Sequence, residues 1–109
     1  MNGQPRLSSL LILDLLTKGG TKVWYAGDFD PEGLLIAQKL KQYYQGEFHY
    51  WHMTAADYEK SRSREMISPR RLKMLDKIWD EQLTETAEAV KTEKTAGYQE
   101  NIWSVYLKN

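Results

Sequence analysis

The spacing of apolar residues changes its period several times along the chain, and each change predicts a new element. From residue 6 to 18, Leu7, Leu10, Leu11, Leu13, Leu15 and Leu16 recur at helical intervals and predict a strongly apolar helix closed by Gly19-Gly20. Residues 21–26 are β-rich and short, as a buried strand would be. From Pro31 to about residue 44, Leu34, Leu35, Ala37, Leu40 and Tyr44 fall broadly on one side, which predicts a second helix. Gln45-Gly46-Glu47 reads as a turn and 48–53 as a second strand. The order helix, strand, helix, strand implies a right-handed βαβ unit with a parallel pair.

Thr54 is positioned to cap a short helix through Tyr58, with Asp57 as its capping-box partner. The chain then turns irregular and basic: Lys60, Arg62, Arg64, Arg70, Arg71 and Lys73 fall within fourteen residues. Ser68-Pro69 restarts a helix to about Trp79. Helical stretches over 81–92 and 98–107 follow, separated by Gly97. The expectation is an α/β domain spanning 1–109, with an α/β core over 1–58 and a basic segment plus C-terminal helices over 59–109. Neither an internal repeat nor a long low-complexity segment interrupts it.

Composition narrows the function classes. At 109 residues and 41% hydrophobic content the chain fits one modest core. Formal net charge is zero, so any nucleic-acid site must be a local patch. Cysteine is absent, which removes disulfides, thiolate zinc sites and cysteine nucleophiles. The N-terminus lacks signal-peptide regions, and the longest apolar run, 10–13, is far too short to cross a bilayer. A soluble, cytoplasmic protein without membrane contact is expected. The abrupt start, with no strand before the first helix, points to an excised piece.

The most informative segment is Gly27-Asp-Phe-Asp-Pro-Glu-Gly33, which joins the first predicted strand to the second helix. Alternation along extended chain puts Asp28 and Asp30 on one side and Phe29 on the other. Two carboxylates on a strand-to-helix turn suit Mg²⁺ or Mn²⁺, hard cations that keep several waters and take one or two protein carboxylates. A structural reading stands beside this one. Asp30-Pro31-Glu32 is also a good helix start, with an N-cap, a proline at the first position and an acid in the first turn. Gly27 and Gly33 would then merely ease the turn and the packing of helix on strand. Capping accounts for Asp30 and leaves Asp28 without a role.

Other candidates carry less. His49 and His52, three apart on a predicted strand, should face opposite sides and not share a metal. Trp24, Trp51, Trp79 and Trp103 lie in apolar contexts and are expected in the core rather than as base-stacking platforms. The basic segment reads either as a solvated face or as a strip that steers a phosphate backbone toward the carboxylates, with Glu65 tempering it by one charge. A P-loop, an HExxH motif and a GxSxG elbow are all missing, which removes the main support for those enzyme classes.

The Gly27–Gly33 run resembles the metal-binding turn of Toprim domains, the fold shared by topoisomerases, primases and some nucleases. Its GD-x-DP-x-G form is most similar to that in the catalytic subunit of archaeal topoisomerase VI. Asn2-Gly-Gln-Pro5 before a Leu-rich helix, the GDFDPEG turn, Trp51-His-Met-Thr-Ala-Ala-Asp-Tyr58 and Tyr98-Gln-Glu-Asn-Ile102 together resemble the C-terminal Toprim-like domain of bacterial Wadjet-type plasmid-defence proteins. That family was long known only as a conserved domain of unknown function. The resemblance implies a Rossmann-like parallel sheet with flanking helices, and a nuclease subunit that works with an SMC-like complex to cut plasmid DNA.

It further implies Asp28 and Asp30 as ligands of Mg²⁺ or Mn²⁺ and as catalytic residues, with Gly27, Glu32 and Gly33 supporting the turn. Arg62, Arg64, Arg70, Arg71 and Lys73 are the matching candidates for DNA contact. A Toprim site also uses a glutamate from an earlier strand, which should precede Asn2. The chain is therefore expected to be a C-terminal fragment that lacks the first strand and depends on upstream domains to cleave. Two other readings remain open: a non-catalytic module docking to an SMC-like, DNA-bound complex, and a small ligand-binding α/β domain.

Overall fold

The computed structural model describes residues 11–17 and 20–102. β2 (Gly20–Ala26) is the central strand of a three-stranded sheet, flanked by β1 (Leu11–Thr17) and β3 (Glu47–Tyr50). β3 lies parallel to β2, with Lys22 opposite Glu47 and Tyr25 opposite Tyr50. α1 (Pro31–Tyr43) makes the crossover between them, so the expected parallel pair is present.

The first predicted helix is corrected. Residues 11–17 form a strand antiparallel to β2, in register from Leu11 opposite Ala26 to Thr17 opposite Gly20. Periodicity cannot separate helix from strand in so short an apolar run, and here the edge of β2 supplies backbone partners along the whole segment. A strand therefore precedes the acidic turn. The rest of that predicted helix lies outside the described residues.

α2 (Ala55–Ser61) begins with the predicted box: Thr54 Oγ1 accepts from Asp57 N, and Asp57 Oδ2 accepts from Thr54 N, both at 3.1 Å. The segment read as irregular contains β4 (Arg62–Met66), which pairs antiparallel with β5 (Thr95–Gly97). No local signal marks so short a strand when its partner is thirty residues away. The helix predicted from Ser68 to Trp79 is instead α3 (Pro69–Leu72) followed by a 3₁₀ segment, Lys73–Lys77. Gln38 of α1 explains the stop. Its Oε1 accepts from Trp79 N and Asp80 N at 2.8 and 3.0 Å, and its Nε2 donates to Lys77 O at 3.1 Å. This buried amide holds 78–80 extended and leaves Trp79 59% exposed, contrary to its expected place in the core. Trp24 and Trp51 are half-buried, and Trp103 lies outside the described residues.

α4 (Glu81–Glu93) starts at Asp80, whose Oδ1 accepts from Gln82 N. A further helical turn begins at residue 99, and its continuation is outside the described residues. One core joins these elements, with Tyr25, Phe29, Leu34, Tyr58, Leu83 and Val90 among its members. Among the described residues no helix is long and apolar enough to cross a membrane.

Asp80 ties α1, β3 and α4 together, since its Oδ2 accepts from Lys41 Nζ at 3.0 Å and from Tyr50 Oη at 2.9 Å. Burial pushes its carboxyl up, but these donors and Gln82 N outweigh it and hold the group below the usual 3.8. A depressed acid contributes stability that is full above the unfolded value and lost as pH falls through the folded one. Asp80→Asn should therefore cost about 2 kcal/mol near neutral pH, as lost charge-assisted hydrogen bonds do. In urea unfolding across pH, the gap to the natural protein should close below about pH 3.8.

Candidate metal centre at the strand-to-helix turn

β2 delivers residues 27–30 to the start of α1 at the carboxyl end of the sheet, the crevice where open α/β folds collect functional groups. Phe29 is fully buried and stacks at an angle on Tyr58, with ring centroids 5.6 Å apart. Its backbone is paired in both directions with Gly97, N to O at 2.8 Å and O from N at 3.0 Å. Asp28 and Asp30, on either side of this anchor, remain partly exposed. The turn is thus pinned at its middle residue, with a partly exposed aspartate on either side.

Each aspartate also holds a backbone amide. Asp30 is the N-cap of α1, its Oδ1 accepting from Gly33 N at 2.6 Å. Asp28 Oδ1 accepts from Gln99 N at 2.8 Å, which gives it the structural role that the sequence left blank. A carboxylate has two oxygens and about four lone-pair positions, so the Gly33 amide does not exhaust Asp30. Burial pushes the Asp30 carboxyl above its usual range; the Gly33 amide opposes this, Glu32 and Glu65 add to it, and Arg71 pulls it down. Ionised Asp30 is therefore a charge that a nearby cation would stabilise.

Gly33 is required by proximity. A Cβ there would press on the carbonyl oxygen of Asp28, closer than real Cβ atoms come, and would lie 2.9 Å from Asp30 Oδ1. Alanine normally improves a helix by about 1 kcal/mol, but overpacking against main chain costs about 1–3 and disturbing the cap about 1 more. Gly33→Ala should thus lower stability by roughly 1–3 kcal/mol in chemical denaturation, against the propensity trend.

The basic segment divides. Arg71 alone is brought to the turn, donating from Nε and Nη2 to the two oxygens of Glu32 at 3.0 and 2.6 Å. Arg71 holds the Glu32 carboxyl below its usual range and acts on Asp30 as well. Arg62 is engaged by Glu59 and Glu93 at 3.1 and 2.8 Å. Arg64, Arg70 and Lys73 are exposed.

Three side-chain roles at the turn escaped the sequence reading. Glu65 of β4 acts on both Asp30 and Arg71 and accepts from Tyr98 Oη. Gln99, almost fully buried, donates from Nε2 to Gly27 O and His52 O, both at 2.9 Å, and so clamps the end of β2 to the loop after β3. Tyr25 carries a buried hydroxyl with no hydrogen-bond partner among the described residues. An unpaired buried hydroxyl costs about 1–3 kcal/mol. Desolvation, followed by the charges of Asp28 and Asp30, pushes this hydroxyl up to about 12, so it stays protonated. Only contacts distant in sequence could have revealed these roles.

The oxygen donors of Asp28 and Asp30 suit Mg²⁺ or Mn²⁺, and a cation beside them would favour the ionised form of Asp30 that its surroundings disfavour. Among the described residues no three His, Cys, Asp or Glu side chains converge on one ion, so water or further groups must complete the shell. The expected separation of the histidines is also corrected. The strand ends at Tyr50, and His52 takes a left-handed conformation with φ 55°. Alternation fails there, and both histidines line one cavity of about 400 Å³ together with Glu81 and Glu85. His49 Nε2 lies 2.5 Å from Glu47 Oε2, and its ring stacks on Trp24 with centroids 5.2 Å apart.

Neither the curated proteins nor the solved structures contain a match to this chain. The family described as "Protein of unknown function C-terminus (DUF2399)" matches all of it, residues 1–109. The chain is therefore a member of that family, and its acidic turn lies within a C-terminal domain of unknown function.

Proposed function

We propose that this domain supplies the aspartate half of a divalent-cation site in a DNA-cleaving bacterial defence protein, and that the full-length protein hydrolyses phosphodiesters. One observation carries the reading: Asp28 and Asp30 flank a buried, doubly hydrogen-bonded Phe29 at the carboxyl end of β2, so that two carboxylates share a turn pinned at its middle. The resemblance of GDFDPEG to the Toprim turn, and of the wider chain to Wadjet-type nuclease subunits, supports the same conclusion. Mg²⁺ or Mn²⁺, when bound, would polarise the scissile phosphate and lower the pKa of an attacking water.

The chain's own residues have distinct parts in this account. Asp28 and Asp30 hold the ion, while Phe29 and Gln99 fix their positions. Glu32 keeps Arg71 beside the turn, where the guanidinium stabilises negative charge developing on a phosphate. Arg64, Arg70 and Lys73, exposed on the same basic segment, track the DNA backbone. A general acid or base comes from upstream domains, and SMC-like partners deliver the DNA in the cytoplasm.

DNA cleavage by the full-length protein tests this. Incision should require Mg²⁺ or Mn²⁺, stop with chelator and resume when the cation is restored, whereas residues 1–109 alone should not cut. Cation-independent cleavage would refute it. A docking module for an SMC-like complex is the second reading, favoured by the amide contacts of both aspartates and by Ile36, Leu40 and Tyr43, which form an exposed apolar stripe on α1. Binding to such a complex without incision under any cation would decide for it.

A further inference from the structure

The outer face of α1 carries an apolar stripe that the core does not use. Pro31, Leu34, Ala37 and Gln38 turn inward, and at about 100° per residue Ile36, Leu40 and Tyr43 fall on the opposite side. They are 50%, 40% and 68% exposed at i, i+4 and i+7, an unbroken row where a surface helix normally carries polar residues. Beside this row, α1 and the 3₁₀ segment border a hollow of about 300 Å³ lined by Leu35, Ile36, Lys39 and Lys77, with Gln38 and Gln42 completing it. Both lysines are exposed, and neither has a carboxylate within ion-pair distance among the described residues. The acids of these two elements and the adjoining Asp80 are already engaged, Glu32 by Arg71, Asp76 by Lys91 and Asp80 by Lys41. Glu81 lines a neighbouring hollow, beside Trp79.

We propose that this face of α1 is the docking site for an amphipathic helix of a partner protein, whose apolar ridge lies along Ile36, Leu40 and Tyr43 and whose flanking Asp or Glu side chains meet Lys39 and Lys77. Charge complementarity selects that occupant. A helix offers apolar side chains at the matching i, i+3, i+4 and i+7 intervals and seats beside another helix, ridge into groove. A second copy of this chain would bring its own Lys39 and Lys77 to the contact, and like charges facing each other oppose association. DNA phosphates would meet Ile36 and Leu40, which offer them no donor. A lipid surface takes protruding apolar groups, whereas part of this face is a hollow. The site shares no residue with the acidic turn, so it holds whether or not Asp28 and Asp30 bind a cation.

The test titrates the chain with two synthetic helical peptides that share one apolar ridge of Leu and Phe, one flanked by Glu and the other by Lys, and follows amide chemical shifts. The Glu peptide should shift amides of 35–43 and 77–79 saturably and bind about tenfold or more tightly than the Lys peptide. Ile36→Gln/Leu40→Gln should weaken it about tenfold or more while thermal unfolding stays near that of the natural chain, since both side chains are exposed. Tyr43→Gln, at the most exposed of the three positions, gives the same readout should that pair unfold. Lys39→Glu/Lys77→Glu should invert the preference toward the Lys peptide. Equal affinity for the two peptides, an unchanged preference in the charge-reversed variant, shifts centred elsewhere or no saturable binding would each overturn the proposal. Vesicles of phosphatidylcholine with phosphatidylserine and a single-stranded oligonucleotide are run beside the peptides. Shifts at 35–43 with either of these and not with the Glu peptide would assign the face to lipid or DNA and overturn it. Self-association of the natural chain that Ile36→Gln/Leu40→Gln abolishes would assign it to a second copy and do the same.

Discussion

Replacing Asp28 or Asp30 in the full-length protein is expected to cut DNA cleavage by at least about 10²–10³-fold while the fold persists, as the loss of one preorganised group at a charged reaction centre does. The structure decides which replacement is informative. Asp28→Ala would strip Gln99 N of its acceptor, and an orphaned buried amide costs about 1–3 kcal/mol. A loss of activity could then be traced to a displaced Gln99. Asp28→Asn and Asp30→Asn keep an oxygen for Gln99 N and Gly33 N and remove the charge a cation needs. These variants should melt within about 0.5–1 kcal/mol of the natural protein, asparagine being as good an N-cap as aspartate. Incision assays beside thermal unfolding check both halves. Cleavage at the natural rate by the Asp28→Asn/Asp30→Asn protein would remove the aspartates from the mechanism.

Phe29→Ala should give the largest loss of stability at the turn, about 3–5 kcal/mol, the usual cost of truncating a fully buried phenylalanine. Its side chain meets Tyr58, its neighbours are the aspartates, and its backbone is paired with Gly97. The residue between the two aspartates should thus matter more to the fold than either aspartate. Urea unfolding of Phe29→Ala, with amide spectra of 27–33 and 95–99, should show a large fall in midpoint and shifts on both sides of the Phe29–Gly97 bridge. A cost below about 1 kcal/mol would mean that packing does not set the turn.

The elements legible in the sequence are those whose signals are local. The β2–α1–β3 unit, the Asp30 cap with Pro31 behind it and the Thr54–Asp57 box were readable because propensity, period and capping chemistry agree there. Residues 11–17 were misread because an apolar run rich in leucine satisfies both periods, and its choice is made by the neighbouring strand. The end of the 68–79 helix was hidden because Gln38, about forty residues earlier, accepts the amides that end it.

The acidic turn shows the same division. Asp28 and Asp30 stand out by spacing, but the Asp28 contact to Gln99 spans 71 residues and the Glu32–Arg71 pair spans 39. Arg71 could not be distinguished from Arg62 by composition. Both are arginines in one basic run, and only the fold pairs one with the turn and the other with Glu59 and Glu93. Tyr25 read as an ordinary strand residue, since its unusual feature is a buried hydroxyl without a hydrogen-bond partner among the described residues.

The measurement that bears most directly on the proposed cation site is a Mn²⁺ titration of this chain followed by paramagnetic broadening of assigned amides. The account predicts that signals from 27–33 broaden first, together with Gln99, whose amide sits on Asp28, and that added Mg²⁺ restores them. Broadening centred on the cavity of His49, His52, Glu81 and Glu85, or spread evenly over the acidic surface, would contradict it.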